Sequence, residues 1–187
     1  MALGARSRYR NGGPAIKLGD EGNVEDIDAR SVIAAIPLFA ETLNSRQLDH
    51  LAAQCEPVFF PAGTFIMSEG DFGDAMFAVV DGEASVTLHD ARGDEHGVAS
   101  VKPGDIVGEM SLLTGMRRRA TVVAKTDVAA LEIPKPVLEE MFARAPELID
   151  RFGVVLAERQ AVLDRVAADA ASHKDFASRI RRFFGGR

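Results

Sequence analysis

The chain has 187 residues, 47% of them hydrophobic and 27% charged, and a net charge of −6. That composition fits one ordinary globular domain with short appendages, large enough to bury a real core. An acidic body makes a poor general nucleic-acid binder, so any polyanion contact would have to come from the ends, and no apolar run approaches the roughly 18 residues of a membrane helix.

The charge is unevenly spread. Residues 1–20 carry four basic side chains and one acidic, and residues 173–187 carry five basic and one acidic. The body between them holds 13 basic against 26 acidic. Met1 to Gly13 has arginines with no apolar stretch behind them, so it does not read as a secretory signal. Ala2 stands where N-myristoylation requires glycine. A lone cysteine, Cys55, can neither staple the fold nor build a zinc site, which fits a reducing, cytoplasmic compartment. Its apolar surroundings make it a core residue.

Taken in order, residues 1–27 are rich in Gly, Arg and acidic residues without a sustained apolar period, and read as a disordered arm. From Asp28, the residues Val32, Ile33, Ala35 and Ile36 predict a short helix that stops near Pro37. Ser45 is expected to cap a second helix whose apolar face is Leu48, Leu51 and Ala52. Between Glu56 and Pro134 the pattern changes to short alternating or β-branched runs. These are 58–60, 64–68, 76–80, 84–88, 97–101, 120–124 and 128–133, separated by Gly, Pro and Asp turn signals. Strands at spacings of about 8–12 residues predict a β-sandwich or jelly roll. After Pro134 the chain turns helical again, with a short helix over 135–143 and a longer one opened by Pro146. The stripe Leu148, Phe152, Val155, Leu156, Val162, Leu163 and Val166 needs something to cover it. Either it packs back on the sheet, or residues 146–167 pair with a second copy in a homodimer. Residues 172–187 combine Phe176, Ile180, Phe183 and Phe184 with arginines. They suit an amphipathic helix that touches an acidic membrane, a channel or a partner, or an end docked on its own domain.

The most informative stretch runs from Gly108 to Val122. A tight turn and one acidic residue, Glu109, lead into a single apolar helical turn; Arg117, Arg118 and Arg119 follow, and then a β-branched strand. Amides at a short helix start can hold phosphate oxygens, and a guanidinium offers the same oxygens a planar fork of donors. A carboxylate accepts hydrogen bonds from sugar hydroxyls but repels phosphate. The segment has one end for sugar and another for phosphate.

This arrangement resembles the cyclic nucleotide-binding domain family. The family includes regulatory subunits of protein kinase A, the catabolite activator protein and cyclic-nucleotide-gated channels. The resemblance covers about residues 30–165 and is closest to bacterial channel-type domains. It rests on the hairpin from Glu69 to Phe77 with Gly82, on the loop Lys102-Pro103-Gly104-Asp105, and on the phosphate-binding cassette from Gly108 to Val122. It implies a mainly β fold: a double-stranded β-helix, or jelly roll, over about 56–134, with N-terminal helices and two C-terminal helices over 135–167. Residues 28–167 would form the domain and 168–187 a basic tail.

By the same resemblance, Glu109 and the Gly108 amide would bind the ribose 2′-hydroxyl, and the Ser111 and Leu112 amides the cyclic phosphate. The family's phosphate arginine commonly lies nine residues after the glutamate, which selects Arg118. Strand alternation agrees: with Arg118 inward, Arg117 and Arg119 point away. Met110, Arg119 and Thr121 complete the expected ligand-binding set. Where the family commonly has Ala, Ser or Thr after that arginine, this chain has Arg119. The usual hydroxyl for the guanine amino group is gone, so cyclic AMP is favoured over cyclic GMP. In a bacterial channel branch the last helix carries Phe followed seven residues later by Arg, matching Phe152 and Arg159. Arg159 could cover the base as a planar cation, or be a solvated helix arginine; Val155 and Leu156 are alternative apolar lids.

No enzyme is expected. His50, His89, His96 and His173 are scattered without ligand spacing, and no Ser or Cys nucleophile sits in a motif. Asp71, Asp74, Asp81, Asp94 and Asp105 occupy separate turns with no calcium-loop spacing. No metal or cofactor is implied. The roughly 20 residues after the long helix are too few for a helix-turn-helix module with its wing, so direct DNA binding is not expected. The sequence reads as a ligand sensor that signals through its last helix. A ligand-free interaction or dimerisation module, or a sensor of another anion such as a cyclic dinucleotide, are the alternatives.

Overall fold

A computed structural model describes residues 27–89 and 95–167, with backbone alone at 95, 96, 98 and 158–167. The arm, the tail and the Asp94 turn lie outside the described residues.

Three short helices come first: α1 (Ala29–Ala35), α2 (Pro37–Ala40) and α3 (Ser45–Ala52). The Asp28 carboxylate caps α1 by accepting from the Ser31 amide. The helical pattern does not simply stop at Pro37. Proline's fixed φ suits the first helical position, so Pro37 starts α2. The cap of α3 is Asn44, not Ser45. Asn44 is extended (φ −80°, ψ 170°) and its side chain accepts from the Gln47 amide. The Gln47 side chain in turn accepts from the Asn44 amide at 2.9 Å. That reciprocal pair puts Ser45 inside the helix as its first residue.

Eight strands follow: β1 (Glu56–Phe60), β2 (Phe65–Met67), β3 (Ala75–Asp81), β4 (Ala84–His89), β5 (Glu95–Val101), β6 (Ile106–Val107), β7 (Thr121–Ala124) and β8 (Val128–Pro134). They form two four-stranded antiparallel sheets, ordered β1-β8-β3-β6 and β2-β7-β4-β5. This is the expected mainly β jelly roll with flanking helices. Pro57 is tolerated because β1 is an edge strand. The sequence pattern missed β6, two residues that pair with Phe77 and Ala78. Between β6 and β7 lies α4 (Glu109–Thr114), and after β8 come α5 (Lys135–Arg144) and α6 (Glu147–Ala167). Pro146 stands just before α6 rather than as its first residue.

Two hydrophobic cores result. One lies between the sheets and includes Phe60, Phe77, Val79, Val101, Val122 and Val128. The other lies between the first sheet and the helices, and includes Phe39, Met76, Leu112, Leu113, Leu131, Phe142 and Phe152. The front half of the long stripe packs back on this second core: Leu148, Phe152 and Leu156 are all fully buried. Side chains of Val162, Leu163 and Val166 lie outside the described residues.

Candidate functional site

The cassette begins with a residue only glycine suits. Gly108 caps α4 at φ 86°, in the left-handed region. A Cβ built there would overlap the Arg118 guanidinium. The next residue, Glu109, is an acidic residue in the helix's first turn and is 7% exposed. A carboxylate there is favoured by the helix dipole. Gly115, also left-handed, ends α4 by donating to the Ser111 carbonyl.

Arg118 is buried, at 6% exposure. Its Nη1 donates to the Gly108 carbonyl at 2.7 Å and to the Ser111 hydroxyl at 2.7 Å. Its Nη2 donates to the Ala75 carbonyl at 2.5 Å. The guanidinium also lies against Gly73, where a Cβ would overlap it. Gly73 and Gly108 therefore form a slot with the guanidinium between them. A buried cation needs such acceptors, because an unsatisfied charge is costly to desolvate.

The backbone around Arg118 is tied to the hairpin before β3. The Arg118 amide donates to the Asp71 carbonyl at 2.7 Å, and its carbonyl accepts from Gly70 at 2.8 Å. Residues 115–119 belong to no strand, yet this pairing imposes the expected alternation: Arg117 and Arg119 are exposed and Arg118 is buried. Arg117 secures the hairpin from outside. Its Nη1 donates to the Gly70 carbonyl at 2.7 Å, and its guanidinium carbon sits 4.1 Å from the centre of the Phe72 ring.

The remaining expected residues are placed as follows. Ser111 (5% exposed) has its hydroxyl on Arg118 and the Gly108 carbonyl. The Leu112 amide donates to the Gly108 carbonyl at 3.2 Å, so here it closes the first turn of α4. Met110 is half-buried against the helical core. Thr121, also half-buried, accepts from the Glu69 amide at 3.0 Å and so holds the start of the hairpin. Leu156 is buried in the helical core and Val155 packs against it. Arg159 lies on α6, its side chain outside the described residues.

Sequence reasoning missed three contributions: Gly73, the Ala75 carbonyl and the Ser111 hydroxyl. Gly73 reads as a corner glycine, and spacing alone does not reveal which side chain needs its missing Cβ. A main-chain carbonyl leaves no mark on a sequence at all. Burial raises the Cys55 thiol to about 12, and its Sγ donates to the Leu51 carbonyl, as suits a packed, unreactive residue. Among the described residues no His, Cys, Asp and Glu side chains gather in a group able to hold a metal. No helix among them is long and apolar enough to cross a membrane.

Comparison with known proteins agrees with this geometry. Residues 57–145 match the family model described as cyclic nucleotide-binding domain. A cyclic nucleotide-gated potassium channel of Rhizobium etli is 33% identical over 129 residues, covering 69% of this chain and 34% of the channel. A cAMP-dependent protein kinase regulatory subunit of Yarrowia lipolytica is 34% identical over 119 residues, covering 59% of this chain and 31% of the subunit. The chain thus spans about a third of these two relatives. The crystal structure of Thermus thermophilus catabolite activator protein superposes with a TM-score of 0.59 at 29% identity, over 68% of this chain and 60% of that one. With this roll, this cassette and these relatives, the chain carries a domain of the cyclic nucleotide-binding family.

Proposed function

We propose that the chain is a sensor of a cyclic mononucleotide, with cyclic AMP as its ligand, and that it has no chemistry of its own. The observation that carries this reading is the buried Arg118 guanidinium, slotted between Gly73 and Gly108, with the buried Glu109 next in sequence to Gly108. In this reading Arg118 takes the phosphate and Glu109 the ribose, while Arg159 or Val155 on α6 covers the base. Arg119 in place of a hydroxyl residue supports adenine over guanine. A ligand-free module has no physical need to bury both an arginine and a glutamate of one short segment.

The signal would leave through α6. A ligand can shift only a conformation it binds better, and a differential affinity of about 100-fold is worth roughly 2.7 kcal/mol. Two features support this route. Leu112 and Leu113 of the cassette share a hydrophobic core with Phe152 and Leu156 of α6. Arg151 of α6 also donates to the Thr42 carbonyl at 3.0 Å, linking that helix to the N-terminal helices. The output would be a change in a homodimer partner of α6 beyond its buried front half, or in a membrane or channel partner of 172–187.

Calorimetry with cyclic AMP, cyclic GMP and cyclic di-GMP on wild type and Arg118→Ala tests the assignment. Hydrogen bonds to charged groups contribute about 1.5–3 kcal/mol each. Wild type should therefore bind cyclic AMP, and Arg118→Ala should bind it at least ~100-fold more weakly. Undiminished cyclic AMP heat in Arg118→Ala would sink the phosphate assignment. A stronger response to cyclic di-GMP would replace the ligand.

A further inference from the structure

Ser111 is the third residue of α4 and is 5% exposed. Its hydroxyl donates to the Gly108 carbonyl at 3.2 Å and accepts from Arg118 Nη1 at 2.7 Å. A hydroxyl has one hydrogen and two lone pairs. Its oxygen can therefore accept from the guanidinium while its hydrogen goes to the Gly108 carbonyl, which also accepts from the Leu112 amide. The same Nη1 donates to the Gly108 carbonyl directly, at 2.7 Å. Carbonyl, hydroxyl and Nη1 thus close a small buried triangle. On the other side, Nη2 is held by the Ala75 carbonyl of β3.

A guanidinium is a rigid plane. Held at Nη2 by β3 and at Nη1 by α4, its orientation is determined. The carbonyls of Gly108 and Ala75 are main-chain groups present whatever the side chain at those positions. The Ser111 hydroxyl is different, since it depends on the residue at 111. The helix itself has no need of serine there, because alanine is the better helix former.

We propose that Ser111 is a positioning residue. Its hydroxyl fixes the plane of the Arg118 guanidinium in the ligand-free protein, and so sets the affinity for the phosphate end of the ligand. This rests on the cyclic-nucleotide reading above. The physical reason is preorganisation: a donor fork already held in one orientation loses less freedom when an anion arrives. Without the hydroxyl, Nη1 keeps one acceptor from α4, and the space of one oxygen opens beside it.

The test uses the full chain in two measurements. NMR of the arginine Nη–H groups in ligand-free protein reports the guanidinium directly, and calorimetry with cyclic AMP reports affinity. Wild type should show resolved, slowly exchanging Arg118 Nη–H signals. In Ser111→Ala these should average, and cyclic AMP affinity should fall about 3- to 10-fold, the range of one net hydrogen bond. Ser111→Cys, with a weak sulfur acceptor of similar shape, should fall between the two. It also serves as the second variant should Ser111→Ala fold poorly. Unchanged Nη–H signals in Ser111→Ala overturn the proposal, and so do averaged signals with undiminished affinity. If wild type binds no cyclic AMP yet the signals average in Ser111→Ala, Ser111 is confirmed as the residue that orients Arg118, and the ligand reading is what fails.

Discussion

The two cores sit on opposite faces of the same strands. In β3, Met76 and Ala78 face the helices while Ala75, Phe77 and Val79 face the roll; in β8, Leu131 and Ile133 face the helices while Val128 and Ala130 face the roll. The roll core is enclosed by backbone ladders on both sides, and its residues are mostly valine, alanine and phenylalanine. The helical core has a ladder on one side only. Across it α6 is held by side chains: Phe152 packs edge-on against Phe39 at 6.1 Å and Phe142 at 5.3 Å, and Arg151 reaches the Thr42 carbonyl. Main-chain ladders resist displacement more than side-chain packing does, so in the proposed sensor movement is expected in the helical layer. For the proposed sensor, the difference marks the helical layer as the expected route of a ligand signal.

The comparison is broken most directly at Phe152. Phe152→Ala should cost about 3–5 kcal/mol of stability in urea denaturation. A loss under ~1 kcal/mol would mean that the helical layer is not integral to the fold. Phe77→Ala, in the roll, should cost a similar amount. The two differ in that Phe152→Ala should also weaken any effect of ligand on α6.

Cys55 sharpens the same contrast, because it packs against the helical core. Burial raises its thiol from 9.0 to about 12. The folded protein therefore holds that proton more tightly than the unfolded chain does. Its contribution is fully present below pH 9.0 and is lost as pH rises toward 12. At about pH 8, alkylation should run on the order of 10- to 100-fold slower in the folded protein than in the unfolded chain. Equal rates would show that the helical layer opens freely.

Smaller effects are expected at the hairpin around Arg118. Gly73→Ala places a Cβ on the Arg118 guanidinium, and should weaken cyclic AMP binding by about 10- to 100-fold through misplacement of the donors. Calorimetry checks this, with a lowered melting temperature expected beside it; wild-type affinity would refute the slot. Smallest is Arg117→Ala, which removes an exposed cation–π contact with Phe72 worth about 0.5–1 kcal/mol. Denaturation of the variant reads that loss.

Legibility in the sequence followed the length over which a pattern repeats. Period-2 runs revealed seven strands, but β6 is two residues long and has no period to show. The second helix was legible, its cap less so: Asn44 and Ser45 are both able to cap, and only Gln47, three residues after Asn44, decides between them. That Arg118 is the inward arginine was legible from alternation, and the family resemblance selected the same residue. Its surroundings were not. Gly73 is distant in sequence, the Ala75 acceptor is main chain, and the Ser111 hydroxyl was overlooked in favour of its amide. Motifs reveal which residue of a segment is buried better than they reveal what holds it in place.

One continuous segment, from Gly108 to Ala124, is stitched into both layers. Leu112 and Leu113 are sealed beneath the helices, while Val122 and Ala124 are sealed inside the roll. Neither layer can come apart without pulling on this strap. The described domain should therefore melt in a single cooperative event, with no stage at which the helices have peeled away and the roll survives.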